Sequence, residues 1–128
     1  TVMLDGQRVI RVATVNCANF GYGDPVEDLK KWDPDIVLLQ QAFPHRVKLI
    51  AEILYGGGGD FRAYQTNGGV TRFEIRREVR NPMLRDQQVT VRLPEGAEIE
   101  VVNVHLATAS NRYASLELGI PCPSPPEP

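Results

Sequence analysis

The stretch Asp33 to Gln41, DPDIVLLQQ, limits the fold more than any other part of the chain. Pro34 fixes its own φ and biases Asp33 away from helix, so Asp33-Pro34-Asp35 reads as a turn. The four residues Ile36 to Leu39 are all apolar and leave no polar face. A strand made of them must be covered on both sides. A buried helical segment is the alternative; β-branched Ile36 and Val37 and the flanking turn favour the strand. Gln40 and Gln41 then stand where a buried strand emerges, the place where α/β proteins tend to put their chemistry.

With 128 residues the chain makes one domain with one core. A net charge of −2 gives no global footprint for nucleic acid or an anionic membrane. No apolar run is long enough to span a bilayer, and the N-terminus carries no signal-peptide pattern; a soluble, cytoplasmic chain is the expectation. Cys17 and Cys122 match no zinc or redox spacing, so Cys17 is read as a small buried side chain and Cys122 as incidental.

From the N-terminus, a turn at Asp5-Gly6 precedes Arg8 to Val15, RVIRVATV, a β-branched strand. Asp24 can cap a helix that has Pro25 at its first position and runs to about Trp32. Val26, Leu29 and Trp32 would share its stripe. Strand, helix and strand in this order imply neighbouring parallel or near-parallel strands. A second helix is expected from Pro44 to about Tyr55, with Val47, Ile50, Ala51 and Leu54 on one face. The glycine run Gly56 to Gly59 stops it. A phosphate-cradling loop would need a strand before the glycines and a lysine after them, and has neither.

Phe61 to Gln65 and Val70 to Val79 read as strands joined at Asn67-Gly68-Gly69. Arg72, Arg76, Arg77, Arg80 and Arg85 make this part locally basic. Glu74, Glu78 and Asp86 offset much of that, as on a solvated strand face. Gln88 to Leu93 alternates, Pro94-Glu95-Gly96 turns, and Glu98 to Leu106 returns. On the returning strand Ile99, Val101, Asn103 and His105 share one face. Asn103 and His105 are either hydrogen-bonded core residues or part of a site. Residues 1–118 form the domain; Gly119 to Pro128, GIPCPSPPEP, reads as a disordered proline-rich tail.

Four pieces stand in one order: VATVNCANF, DPDIVLLQQ, GGV and VVNVHL. Together they resemble the endonuclease/exonuclease/phosphatase superfamily, with its deoxyribonuclease I-like fold, over roughly Arg8 to Ala107. The resemblance implies an α/β (α+β) chain, the first half of an αββα sandwich: a mixed sheet with two helices on one face. It implies metal-dependent hydrolysis of phosphodiesters or phosphomonoesters. A hard cation, Mg²⁺ or Mn²⁺, offsets the negative charge that protects a phosphate ester. By resemblance Asn16 and position 41 lie at the metal, and His105 and Asn103 carry the catalytic motif.

Two departures stand against activity. Position 41 is Gln41 where the family has a metal-binding glutamate, so any metal is held weakly. After Ala107 there is no Gly-Asp-x-Asn segment and no closing Ser-Asp-His segment. The readings are a truncated or degenerate phosphoesterase, a catalytically silent binding or structural module derived from one, and an unrelated α/β domain with chance motifs. The composition change near Leu118 suggests that the gene once continued in frame. With helices for only one face of one sheet, Ile99, Val101 and one face of Ile36 to Leu39 are expected to be bare. Self-association or a second chain would then complete the sandwich, beside a phosphate-ester substrate.

Overall fold

The computed structural model describes residues 2–4, 7–18, 23–81 and 86–104. In chain order the elements are β1 Val2–Leu4, β2 Gln7–Val9, β3 Val12–Asn16, α1 Val26–Trp32, β4 Ile36–Gln40 and α2 Pro44–Tyr55. A 3₁₀ turn, Gly56–Gly58, leads to β5 Asp60–Tyr64, β6 Asn67–Thr71, β7 Glu74–Asn81, β8 Asp86–Arg92 and β9 Glu98–Asn103. They form an antiparallel pair β1-β2, a mixed sheet β3-β4-β6-β5 and an antiparallel sheet β7-β8-β9. This is the α+β class, with two α-helices among the described residues. Among the described residues no helix is long and apolar enough to cross a membrane.

The strand β4 is buried along its whole length, as its unbroken apolar run requires. Val37 and Leu39 face the helices and pack with Val26, Leu29, Val47, Ile50, Ala51 and Val70. Ile36 and Leu38 face the other way and pack with Ile75, Val89 and Val91 of the second sheet. Each such side chain contributes roughly 1.5–3 kcal/mol on burial. The expectation of a bare face on Ile36 to Leu39 is therefore corrected. The second sheet covers that face, with Val101 half-buried against it, and Ile99 is half-buried too. With both faces of β4 covered from within the chain, the strand does not require a second copy for burial.

α1 and α2 both pack on the outward face of the mixed sheet. The helix begins one residue later than read, with Pro25 at the cap position and not the first helical one; Asp24 Oδ1, one residue ahead, still accepts the Val26 N–H at 3.0 Å. Trp32 stays 41% exposed rather than joining the stripe, with the Arg11 guanidinium over its ring. α2 buries Val47, Ile50 and Ala51 as its periodicity predicts, and stops at Gly56, whose φ of 62° suits glycine. Cys17 is buried, as expected; Cys122 lies outside the described residues, as does the 105–128 segment with its expected tail.

Three further boundaries differ from the sequence reading. The first strand divides at Ile10 and Arg11, because Asp35 Oδ2 takes the Arg11 N–H and the Arg11 carbonyl accepts from Asp35 and Ile36. Asn67-Gly68-Gly69 is inside β6, and the reversal lies at Gln65-Thr66, with Gln65 left-handed at φ 55°. Gly68 serves helix packing: a Cβ there would meet Val47 Cγ2 at 2.5 Å. Val70 to Val79 is two strands in two sheets. Thr71 Oγ1 donates to the Asp35 carbonyl and accepts the Phe73 N–H, which turns the chain between β6 and β7. The hairpin of β8 and β9 forms as expected, closed by Leu93 N–H to the Ala97 carbonyl at 2.8 Å. Arg76, Arg77 and Arg80 are exposed and paired with Glu74, Glu98 and Glu78, which is a solvated strand face.

Candidate functional site

β3 and β4 run parallel, so their last residues arrive at the same end of the sheet, with Asn16 beside Gln40. This brings two of the residues singled out in the sequence, Asn16 and Gln41, to one place. Asn16 is exposed, and its Oδ1 accepts the Ala18 N–H at 3.0 Å. The Cys17 N–H donates to the Gln40 carbonyl at 2.8 Å, extending the β3–β4 pairing past the strand end. Gln41 is half-buried and left-handed, with φ 54°. On its far side Ala42 is fully buried and donates its N–H to the Thr66 carbonyl at 2.9 Å. Ala18 is left-handed too, at φ 47°. Non-glycine residues hold such backbone only where their surroundings over-determine it.

Asn103 reaches the same end from the second sheet, but its side chain is turned inward. It is 1% exposed. Its Nδ2 donates to the Leu39 carbonyl at 3.0 Å and the Gly68 carbonyl at 3.1 Å, both in the mixed sheet. Its Oδ1 accepts from Gln40 Nε2 at 2.8 Å. Gln40 Nε2 also lies 3.0 Å from Thr14 Oγ1 and 3.3 Å from the Leu38 carbonyl. Gln40, Asn67, Gln87 and Asn103 are all buried at this end. Asn67 stands opposite Gln40 across one strand pair and Gln87 opposite Asn103 across another. His105 falls outside the described residues.

The sequence placed Gln40 beside Gln41 at the emerging strand end but gave it no partner. Alternation along β4 puts Gln40 on the face of Ile36 and Leu38. The same alternation along β9 puts Asn103 on the face of Ile99 and Val101. In the folded chain those two faces meet, which pairs the two amides; alternation alone does not say that they do.

A cavity of about 210 Å³ opens beside Asn16, with Cys17, Asp24 and Asp28 in its wall. Burial, aided by the Asp24 charge, pushes the Cys17 thiol up to about 11. It stays protonated at neutral pH and is a poor nucleophile. Asp24 and Asp28 share that wall with Asn16. Among the described residues no three His, Cys, Asp or Glu side chains cluster to hold a metal ion. The end can therefore offer amide oxygens and N–H donors, and two carboxylates to one side.

The opposite end of β4 is ionic. Arg72 Nε lies 2.9 Å from Asp35 Oδ1, while Nη2 donates to Asp33 Oδ1 and, at 3.0 Å, to the Pro34 carbonyl. Tyr55 packs its ring under the guanidinium and donates its hydroxyl to the same Pro34 carbonyl at 2.6 Å. The hydrogen bond from Arg72 lowers the Asp33 carboxyl from its ordinary value. Burial and the nearby carboxylates, partly opposed by Arg72, raise the Tyr55 phenol. These groups hold the turn before β4. No family model matches the chain, and no curated protein matches it.

Proposed function

We propose that this chain is a degenerate phosphoesterase domain of the endonuclease/exonuclease/phosphatase type, with its phosphate-ester site at the amide end of the sandwich. The observation that carries the reading is the arrival of Asn16, Gln41 and the end of β9 at one edge of two face-to-face sheets. Two helices on the outer face of the mixed sheet agree with it. The order of strand-end amides matches the order of the motifs that suggested the family.

A divalent cation, when bound, would supply the positive charge that a phosphate ester needs for attack. Asn16 and Gln41 are the residues that would hold it, by amide oxygens. The donor set fits such an ion poorly: neither amide carries charge, and Asn16 Oδ1 already accepts the Ala18 N–H. Two unit charges about 4 Å apart near a surface interact by ~4 kcal/mol. Desolvation removes part of that, which leaves a loss on the order of 2–3 kcal/mol, or ~30- to 150-fold in affinity, for an amide in place of a carboxylate. Mg²⁺ binding in the millimolar range or weaker follows. The chain's own contribution to such chemistry is placement: the left-handed backbone at Gln41 and the Asn16 amide, tied to the Ala18 N–H, stand together at the end of β3 and β4.

A silent binding or structural module is the second reading, and the inward-turned Asn103 favours it. Its amide is committed to two backbone carbonyls and Gln40. Calorimetric titration of Mg²⁺ or Mn²⁺ into the wild type and Gln41→Glu separates the two. Tightening of at least about tenfold supports the vestigial metal site. Equal affinities would sink it.

A further inference from the structure

We propose that the free edge of β9 takes one further antiparallel strand, an extended peptide of a partner protein in which apolar and basic residues alternate. The proposal does not depend on the phosphoesterase reading. The two sheets differ in width. β7 lies over β5, β8 over β6, and β9 over β4 and β6, to which Asn103 ties it. The mixed sheet has one strand more, β3, and among the described residues the second sheet has no strand beyond β9 to face it. Burial along β3 records the gap. Ala13 and Val15, toward the helices, are half-buried. Val12, Thr14 and Asn16, on the face shared with Ile36, Leu38 and Gln40, are exposed. β3 therefore overhangs a slot one strand wide, and the edge of β9 forms its side.

The backbone of that edge is set for pairing. In an antiparallel pair, residues that exchange hydrogen bonds with the neighbour alternate with residues whose N–H and C=O point away from it. Leu93 N–H bonds the Ala97 carbonyl, so the bonded pairs run on as Val91 with Ile99, Val89 with Val101 and Gln87 with Asn103. Glu98, Glu100 and Val102 then turn their N–H and C=O groups out from the sheet edge. A strand laid along them has two different faces. Its inward residues fall beside Ile99 and Val101 and under Val12 and Thr14, which suits apolar side chains. Its outward residues fall beside the exposed Glu98, Glu100 and Val102, where basic side chains form opposite-charge cross-strand pairs. Backbone bonds supply the affinity of such strand addition and alternate side chains supply the selection. A second copy does not fit the slot. Two-fold pairing of β9 with its own counterpart would drive the partner copy's β4, which lies over β9, into the space of β3. It would also set one Glu100 directly opposite the other.

The test uses the wild-type chain and a short labelled peptide of alternating valine and lysine, read by fluorescence anisotropy. Binding is expected. Methylation of the lysine backbone nitrogens, the ones that face β9, should weaken it at least about tenfold, and methylation of the valine nitrogens should not. Glutamate in place of lysine should weaken it as much as the first methylation. Val102→Pro removes an outward N–H and leaves the pairing with β8 in place, with an expected loss of about tenfold. Glu100→Lys should cost several-fold, and it decides the matter on the protein side if the proline variant does not fold. No binding to the wild type, or equal binding of the two methylated peptides, overturns the proposal. So does affinity unchanged within about twofold in Glu100→Lys and in a folded Val102→Pro. A dimer in light scattering that Val102→Pro dissolves would give the edge to a second copy and overturn it as well.

Discussion

The two ends of β4 are fastened in different ways. At its start, Asp35 is 1% exposed and meets Arg72, which in turn meets Asp33, the Pro34 carbonyl and the Tyr55 ring. At its finish, Gln40 meets Asn103 and Thr14, and no charged side chain takes part in those bonds. Opposite charges at close range are hard to separate once water is excluded, and removing one partner strands the other. A neutral amide network costs less to break and is more directional, since each N–H must find its own oxygen. The ionic end fastens the turn before β4. The amide end fastens the sheets while leaving Asn16 and Gln41 at the surface beside it.

The largest expected effect breaks the ionic end. Arg72→Met should cost about 3 kcal/mol, because it leaves the Asp35 carboxylate buried without its cation. Urea denaturation measures this, and a loss below about 1 kcal/mol would place the pair among weak surface bridges instead. The amide end should give less. Asn103→Leu removes the donor to the Leu39 and Gly68 carbonyls and the acceptor for Gln40, with an expected loss of about 2 kcal/mol. If this variant proves as costly as Arg72→Met, the contrast between the ends fails.

The smallest effect belongs to Asp33, whose side chain is 58% exposed. Asp33→Asn should cost at most about 1 kcal/mol at neutral pH. The sign of its pH dependence is fixed. The Arg72 hydrogen bond depresses the carboxyl in the folded state, so its contribution is present above the unfolded value near ~3.9 and is lost as pH falls through the folded value. The gap between wild type and Asp33→Asn should close on acidification. A gap that widens in acid would contradict the assignment.

Periodic and bounded stretches were legible in the sequence. The run Ile36 to Leu39, the α2 face with Val47, Ile50 and Ala51, and the hairpin of β8 and β9 all appear where the pattern puts them. What stayed hidden depends on partners distant in sequence. The break at Arg72 and Phe73 follows from ties to Asp33, Pro34 and Asp35, which no local window contains. Asn67-Gly68-Gly69 looks like a turn until Val47 is seen to need the space at Gly68. At the candidate site, the approach of Asn16 and Gln41 followed from the parallel order of β3 and β4. The division of labour between Gln40 and Gln41 did not, because it depends on which face the second sheet occupies.

The double-sided burial of β4 has a consequence for how the chain is made. The Val37 and Leu39 face can be covered as soon as α2 has been synthesised, since Val47 to Ala51 follow closely. The Ile36 and Leu38 face must wait for Ile75, Val89 and Val91. At ~5–20 residues per second on the ribosome, that wait lasts on the order of seconds. During it the nascent chain exposes an apolar strand face that can find a wrong partner, and chaperone binding would be concentrated on that interval.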